Sequence, residues 1–108
     1  MPETTQEILE RVGLIPVLRA KSVAQGRAVV EAMMAGGVTV VEVTMTVPNA
    51  VELIKQLKKE FGEELLLGSG TVTTADQCQA TIDAGAEFVV SPSLHHDVIR
   101  VTRDNKKV

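Results

Sequence analysis

The sequence predicts an α/β fold in which a short N-terminal helix precedes four consecutive βα units with parallel strands. Apolar runs of strand length begin at about residues 14, 38, 65 and 87, and each is followed by a segment with helical periodicity. Such alternation indicates right-handed helical crossovers between parallel strands. The 108 residues are predicted to form a single domain, residues 1–108.

The first helix is predicted over residues 2–12, where Thr4 or Thr5 caps the start and Gly13 ends the helix. The apolar run 14–20 follows directly and has the length of a strand. Together they form the N-terminal helix and the first strand of the repeating pattern.

The second helix begins after Ser22, a favourable N-cap residue, and ends at the glycine pair 36–37. Gly26 lies inside this helix, where glycine costs about 1 kcal/mol relative to alanine. We therefore expect a close approach between this helix and a strand. The next strand, residues 40–46, is rich in β-branched residues.

The third helix is predicted to begin at Pro48 and to end near Phe61, because proline is favoured at the first helical position. The third strand, residues 65–72, ends among glycines. Thr74 followed by Gln77 matches the capping-box pattern at the start of the fourth helix.

Gly85 ends the fourth helix, and residues 88–92 form the fourth predicted strand. The last helix begins around His95. Cys78 lies on the apolar face of the fourth helix and is predicted to be a packing residue rather than a nucleophile.

Glu42 interrupts the most regular strand of the chain. Side chains alternate along a strand, so Val41 and Val43 face one side while Glu42 and Thr44 face the other. A carboxylate in mid-strand needs water, a partner or a raised pKa, since burying an unpaired charge is costly. A solvent-facing glutamate on an edge strand is the competing interpretation.

Composition argues against several classes of function. The net charge is −3 with scattered lysines and arginines, and the two aromatic residues provide no platform for stacking bases, so nucleic acid is not an expected partner. No apolar run approaches the roughly 20 residues that span a bilayer, so no membrane association is expected. The single cysteine rules out an intrachain disulfide and fits a reducing cytoplasm.

No metal site and no cofactor are predicted. His95 and His96 are adjacent, so a regular helix cannot direct both toward one metal ion. The segment 68–70 has two glycines, but Thr73 stands where a dinucleotide-binding motif has its third glycine.

Polar residues collect where the predicted strands end, namely Arg19, Glu42–Thr46, Ser69–Thr71 and Ser91–Pro92. Active groups of a (β/α)8 barrel lie at the C-terminal ends of its strands. This gradient favours half of a (β/α)8 barrel over an open sheet of the flavodoxin type, which would instead bind a ligand where its strand order reverses.

The chain resembles the N-terminal half of the KDPG/KHG aldolases. The motifs that carry the resemblance are Pro16-Val17-Leu18-Arg19, Gly36-Gly37-Val38, Val41-Glu42-Val43-Thr44, Gly68-Ser69-Gly70-Thr71-Val72, Ala84-Gly85-Ala86-Glu87-Phe88 and Ser91-Pro92. The resemblance implies a class I, Schiff-base lyase without a cofactor. Such enzymes release pyruvate from 2-keto-3-deoxy-6-phosphogluconate or 4-hydroxy-2-oxoglutarate, and are complete (β/α)8 barrels usually assembled as homotrimers.

The resemblance also implies roles for individual residues. Glu42 matches the general acid–base glutamate, Thr71 and Pro92 match residues that line the pyruvyl pocket, and Thr44 is grouped with the substrate-binding residues. Arg19 matches an arginine that some members place near the substrate carboxylate. Other members carry an arginine where this sequence has Thr46.

The family's Schiff-base lysine has no counterpart in these 108 residues, so the chain alone is expected to be inactive. Lys21 follows Arg19 but is expected to be an exposed loop residue. Four parallel strands cannot close a ring, so pairing with a C-terminal half or with a second copy is expected. A non-catalytic module that binds a 2-oxo acid or phosphate, and a structural or engineered half barrel, are the alternatives.

Overall fold

The computed structural model describes residues 2–108 and contains one four-stranded sheet with flanking helices. The elements in chain order are α1 (Thr5–Val12), β1 (Val17–Leu18), α2 (Val23–Ala35), β2 (Val40–Thr44), α3 (Ala50–Phe61), a 3₁₀ helix (Gly62–Glu64), β3 (Leu66–Gly70), α4 (Ala75–Ala84), β4 (Phe88–Val89) and α5 (His96–Asp104). The predicted N-terminal helix and four βα units are confirmed.

The sheet order is β1-β2-β3-β4, and every pairing is parallel. Each strand therefore pairs with its neighbours in sequence, and the order has no point of reversal. An open flavodoxin-type sheet would contain such a reversal. The sequential order is that of half of a (β/α)8 barrel.

The main core lies between the sheet and helices α2 and α3. It contains Val41 and Val43 from β2 together with Leu53, Ile54 and Leu57 from α3, all buried. A second cluster joins α4 to α5. Because the main core takes one face of β2, Glu42 and Thr44 face the opposite side of the sheet, which we call the inner face.

Most helix starts follow the predicted capping residues. The Thr4 side chain forms a capping box with Glu7, and Ser22 and Thr74 each accept a hydrogen bond from a backbone N–H of the first helical turn. Gln77 does not complete a capping box with Thr74, because its side chain accepts from Thr73 instead.

Gly26 is tightly packed, although mainly against a helix rather than a strand. A Cβ atom at this position would lie 2.6 Å from Leu53 Cδ2 on α3 and 3.6 Å from Leu18 Cδ2 on β1. The glycine therefore lets α2 approach α3, and its contact with the strand is secondary.

The start of α3 differs from the prediction. Pro48 precedes the helix, which begins at Ala50 after Asn49 as N-cap residue. Asn49 is in the left-handed region at φ 57°, a conformation that asparagine tolerates better than most residues. A turn, rather than the proline, therefore starts the helix.

The outer strands are shorter than their apolar runs, with two residues each in β1 and β4. Pro16 has no N–H to donate, but its carbonyl accepts from Glu42 N at 2.9 Å. On the far side of β4, Val89 N donates to Val108 O at 2.8 Å and Val108 N donates to Glu87 O at 3.2 Å. The residues past α5 thus return to the sheet beside β4.

Cys78 is fully buried in the second cluster, as predicted for a packing residue. Its sulfur lies 3.2 Å from Thr102 Oγ1. Within residues 2–108, no helix is both long enough and apolar enough to cross a membrane.

Candidate functional site

Glu42 lies in the middle of β2, in register with Val17 on β1 and Gly68 on β3. Only 7% of the residue is exposed, although its side chain is on the inner face rather than in either apolar cluster. No hydrogen bond to its carboxylate forms within residues 2–108. The structure thus places an almost buried carboxyl group without a fixed donor.

Gly70 makes room for this carboxyl group. A Cβ atom at position 70 would overlap with Glu42 Oε2 and would also crowd Cδ, because the side chain of Glu42 crosses the backbone of β3 there. Gly68 has a comparable role beside Phe88, whose ring occupies the space of the missing Cβ. Gly70 therefore accepts a side chain from β2, and Gly68 accepts one from β4.

The pKa of Glu42 is raised above its ordinary value, and the main cause is loss of hydration. Arg19 opposes this shift, since its positive charge favours the ionised carboxylate. The arginine is exposed at the end of β1 and forms no salt bridge with Glu42. The attraction is therefore partial, and the carboxyl group holds its proton to a higher pH than an exposed glutamate.

A set of hydroxyl groups links β1 to the end of β2. Thr44 Oγ1 donates to the carbonyl oxygen of Leu18 at 3.0 Å and lies 2.8 Å from Thr46 Oγ1. Arg19 Nη1 donates to Thr46 Oγ1 at 3.4 Å. Thr44 is 1% exposed, whereas Thr46 and Arg19 are at the surface.

The other residues predicted for the site lie after neighbouring strands. Thr71 follows Gly70, is partly buried, and has a left-handed backbone at φ 58°, which is unusual for a β-branched residue. Pro92 is exposed in the loop after β4. Arg19, Thr71 and Pro92 thus follow the ends of their strands, whereas Glu42 and Thr44 lie on β2 itself. Hydrogen bonds link Arg19 to Thr44 through Thr46, and Glu42 is not part of that set.

Two contacts were not expected from the sequence: the one between Thr46 and Arg19, and the fit of Glu42 over Gly70. The spacing of Thr44 and Thr46 indicates only that these two hydroxyl groups are neighbours, and it gives no signal for the contact with Arg19. The second had no local signal, because it depends on the register between two strands.

The lysines do not contribute to this site. Lys21 is exposed, and its backbone N–H donates to Gln25 Oε1 at 2.7 Å as part of the start of α2. Lys58 pairs with Glu63 and Lys107 pairs with Glu87. No lysine lies on a strand among the elements described.

Metal-ligating residues are also dispersed, since residues 2–108 contain no group of three or more His, Cys, Asp and Glu side chains that could hold an ion. His95 is the N-cap residue of α5 without a side-chain capping bond, and its Nε2 lies 2.9 Å from Ser93 Oγ.

A cavity of about 450 Å³ lies between β4 and α5, away from Glu42. Its lining includes Val89, Leu94, Val98, Ile99 and Val108.

Comparison with known protein families matches residues 5–108 to the family described as "Aldolase: KDPG and KHG aldolase". The 2-dehydro-3-deoxy-phosphogluconate aldolase of Treponema pallidum is 40% identical over 96 residues, which are 89% of this chain and 45% of that protein. The KHG/KDPG aldolase of Escherichia coli K12 is 32% identical over 101 residues, 94% of this chain and 47% of that protein. The chain thus spans about half the length of the curated relatives it matches.

Solved structures give the same result. The KDPG aldolase of Legionella pneumophila, captured with pyruvate as a covalent carbinolamine intermediate, has a TM-score of 0.75 and 34% identity, covering 82% of this chain and 43% of that one. The 2-keto-3-deoxy-6-phosphogluconate aldolase of Zymomonas mobilis ZM4 with 3-phosphoglycerate has a TM-score of 0.75 and 38% identity, covering 86% and 44%.

Proposed function

Because this chain belongs to the KDPG and KHG aldolase family, we propose that it forms the N-terminal half of a class I aldolase. The substrate is a 2-keto-3-deoxy acid such as 2-keto-3-deoxy-6-phosphogluconate or 4-hydroxy-2-oxoglutarate, and pyruvate is one product. The observation that carries the proposal is Glu42, a carboxyl group that is almost buried on the inner face and has no fixed hydrogen-bond donor.

Glu42 acts as the general acid–base of the reaction. Formation and breakdown of a Schiff base require protons to move to and from the carbonyl oxygen, and cleavage requires a proton to leave a hydroxyl group. A group with a pKa nearer the working pH exchanges protons in both directions more effectively than an ordinary glutamate. Burial raises the pKa of Glu42 in the required direction.

Arg19 supplies the positive charge that binds the substrate carboxylate. Its guanidinium group is exposed at the C-terminal end of the sheet, and a planar guanidinium can make two parallel hydrogen bonds with a carboxylate. Thr71 and Pro92 border the pyruvyl group, since both follow strands that end beside β2 or β3. Thr44 supports Arg19 through Thr46, to which both side chains are hydrogen-bonded.

The amine comes from outside these 108 residues, in a C-terminal half that completes the barrel. A class I aldolase needs a lysine to form the iminium that accepts electrons during cleavage. No lysine of the described residues lies on a strand, and Lys21 is exposed after β1. The isolated chain is therefore expected to bind but not to form a Schiff base.

Borohydride trapping with pyruvate tests this proposal. The chain is fused to the C-terminal half of the Treponema pallidum relative, and the fusion and the isolated chain are each treated with pyruvate and borohydride. A mass increase in the fusion but not in the isolated chain is expected. A fusion that folds but forms no adduct would contradict the aldolase assignment.

The same fusion tests the role of Glu42. We expect Glu42→Gln to lower the cleavage rate by about 10²–10⁴-fold, the usual contribution of a positioned acid–base group, while pyruvate still binds. The exposed Glu64→Gln is the matched control and is expected to leave the rate unchanged. Unchanged turnover in Glu42→Gln would remove this residue from the mechanism.

A non-catalytic module that binds a 2-oxo acid is the second candidate, favoured by the exposed arginine next to a site without a lysine. NMR titration of the chain with pyruvate distinguishes the two when combined with trapping. Shifts near Arg19 and Thr71, with no adduct in either the chain or the fusion, would favour the binding module.

A further inference from the structure

The hydrogen bonds around Thr46 have a fixed direction. A threonine hydroxyl has one proton to donate. Thr44 uses its proton on the carbonyl oxygen of Leu18, so Thr46 is the donor in the bond between the two hydroxyl groups. The lone pairs of Thr46 are then free to accept, and Arg19 Nη1 donates to them. The bonds run in one direction, from Arg19 through Thr46 and Thr44 to Leu18.

The two ends of this chain of hydrogen bonds are the last residue of β1 and the residue that follows it. Leu18 and Arg19 are neighbours in sequence, and the two threonines come from β2 and the turn that follows it. The result is a ring of contacts that includes the backbone of β1. Its inner part is rigid, since Thr44 is 1% exposed, whereas the 3.4 Å bond from Arg19 is its longest and most easily broken link.

We infer that Thr46 is a positioning residue, which holds the Arg19 guanidinium group in place at the C-terminal end of the sheet. An exposed arginine would otherwise sample many rotamers, and its mean distance from Glu42 would be larger. Thr46 accepts one N–H of the guanidinium and leaves the others free for an anionic ligand. Because both hydroxyl protons are already used, the ligand meets arginine donors here and no threonine donor.

This inference rests on the proposed function for its ligand, but its first test requires no substrate. The chain is labelled with ¹³C-glutamate, and the carboxyl carbon of Glu42 is followed through a pH titration in the unmodified chain and in Thr46→Val, Thr46→Ser and Arg19→Gln. Glu42→Gln assigns the signal. Arg19 is the charged side chain that lowers the pKa of Glu42, and the residues in register with Glu42 on the two adjacent strands, Val17 and Gly68, are uncharged.

Thr46→Val has nearly the same shape as threonine but cannot accept a hydrogen bond, so the guanidinium group should move away. We expect the pKa of Glu42 to rise in Thr46→Val, to rise at least as much in Arg19→Gln, and to stay unchanged in Thr46→Ser. An unchanged Glu42 pKa in either Thr46→Val or Arg19→Gln would overturn the inference, as would a serine variant that behaves like the valine variant.

Position 46 is exposed, so the valine variant should fold; if it does not, Thr46→Ala provides the same test. In the fusion used for trapping, Thr46→Val should raise the pyruvate concentration for half-maximal trapping by about tenfold, the usual effect of losing one charged hydrogen bond. Thr46→Ser should restore it. A fusion without trapping activity would contradict the aldolase proposal and leave the titration result valid.

Discussion

Burial of Glu42 links the stability of the chain to pH. Because the pKa of this residue is raised in the folded state, the folded chain binds its proton more tightly than the unfolded chain does. The corresponding stability is fully present below the ordinary pKa of 4.5 and is lost as the pH rises through the folded-state pKa. At neutral pH the buried carboxyl group therefore lowers the stability of the fold relative to its value below pH 4.5.

Replacing Glu42 by glutamine should thus stabilise the chain at pH 7.5, by about 0.5–2 kcal/mol, the range typical of changes that relieve a functional site. The gain should shrink at pH 4, where the native side chain is itself largely protonated. Urea unfolding at the two pH values measures the difference. The exposed Glu64→Gln is the control, and an equal gain at both pH values would exclude this explanation.

Thr71 has a conformation that its side chain disfavours. Left-handed backbone costs a β-branched residue about 1–3 kcal/mol, and glycine adopts it freely. After the entropy that glycine gains in the unfolded chain is subtracted, Thr71→Gly should stabilise the chain by about 1 kcal/mol in thermal unfolding. Asn49→Gly is the matched control, and a change of only a few tenths is expected there. Destabilisation by Thr71→Gly would show that side-chain contacts outweigh backbone strain.

The sequence was sufficient to predict which face of β2 contains Glu42, because alternation along a strand depends only on residue spacing. It was not sufficient to predict the contact between Arg19 and Thr46. That contact depends on how two strand ends are placed and on the rotamer of a long side chain, and neither leaves a local pattern in the sequence.

Strand β3 determines how closely its neighbours approach. Gly68 and Gly70 lie on the same face and each accepts a side chain, Phe88 at the first and Glu42 at the second. We expect Gly68→Ala and Gly70→Ala each to destabilise the chain by about 1–3 kcal/mol, since added volume in a packed site forces its neighbours to shift.

A double-mutant cycle separates the two glycines. Adding Glu42→Ala to Gly70→Ala should recover most of the lost stability, because the overlapping side chain is gone. Adding Glu42→Ala to Gly68→Ala should change stability only by the effect that Glu42→Ala has alone. Urea unfolding of the three single and two double variants gives the coupling energies, and equal coupling in both backgrounds would contradict the proposed fit.

Helix starts were predicted better than strand ends. The caps at Thr4, Ser22 and Thr74 are local chemistry, since a short side chain binds N–H groups within the next turn. The ends of β1 and β4 depend on where a neighbouring strand stops pairing, so the apolar runs in the sequence overestimated the lengths of these two strands. Pro48 was misassigned because the chain makes a turn at Asn49, whose backbone is left-handed. Asparagine tolerates this conformation, but its presence in a sequence does not show that the conformation is adopted.

Across the whole molecule, the four strands leave apolar side chains uncovered at the edges of the sheet. Ile15 and Val17 at β1 and Val90 after β4 are 39%, 51% and 39% exposed. The outer side of β4 is paired with Val108, whereas β1 has no further strand beside it among the described residues. An unpaired strand edge with apolar side chains favours pairing with another chain. We therefore expect the chain to pair with a C-terminal half where one is present, and we expect the isolated chain to associate with itself.

Sedimentation measures this association. The unmodified chain should sediment as a species larger than 11.6 kDa, and Val17→Lys should shift it toward the monomer. Val29→Lys, at a valine on α2 that is 45% exposed, is the control for a charge added on a helix surface. A stable monomer of the unmodified chain would contradict the expectation, and dissociation by the α2 control would place the contact on the helices.

The fit between Glu42 and Gly70 restricts how this sequence can change over time. As long as position 42 is glutamate, a mutation that adds even a methyl group at position 70 displaces the carboxyl group of Glu42. A lineage that abandons the acid loses that restriction at once, and alanine or serine can then accumulate at position 70. The residue at position 70 would therefore record, in any descendant of this sequence, whether selection still acts on the acid beside it.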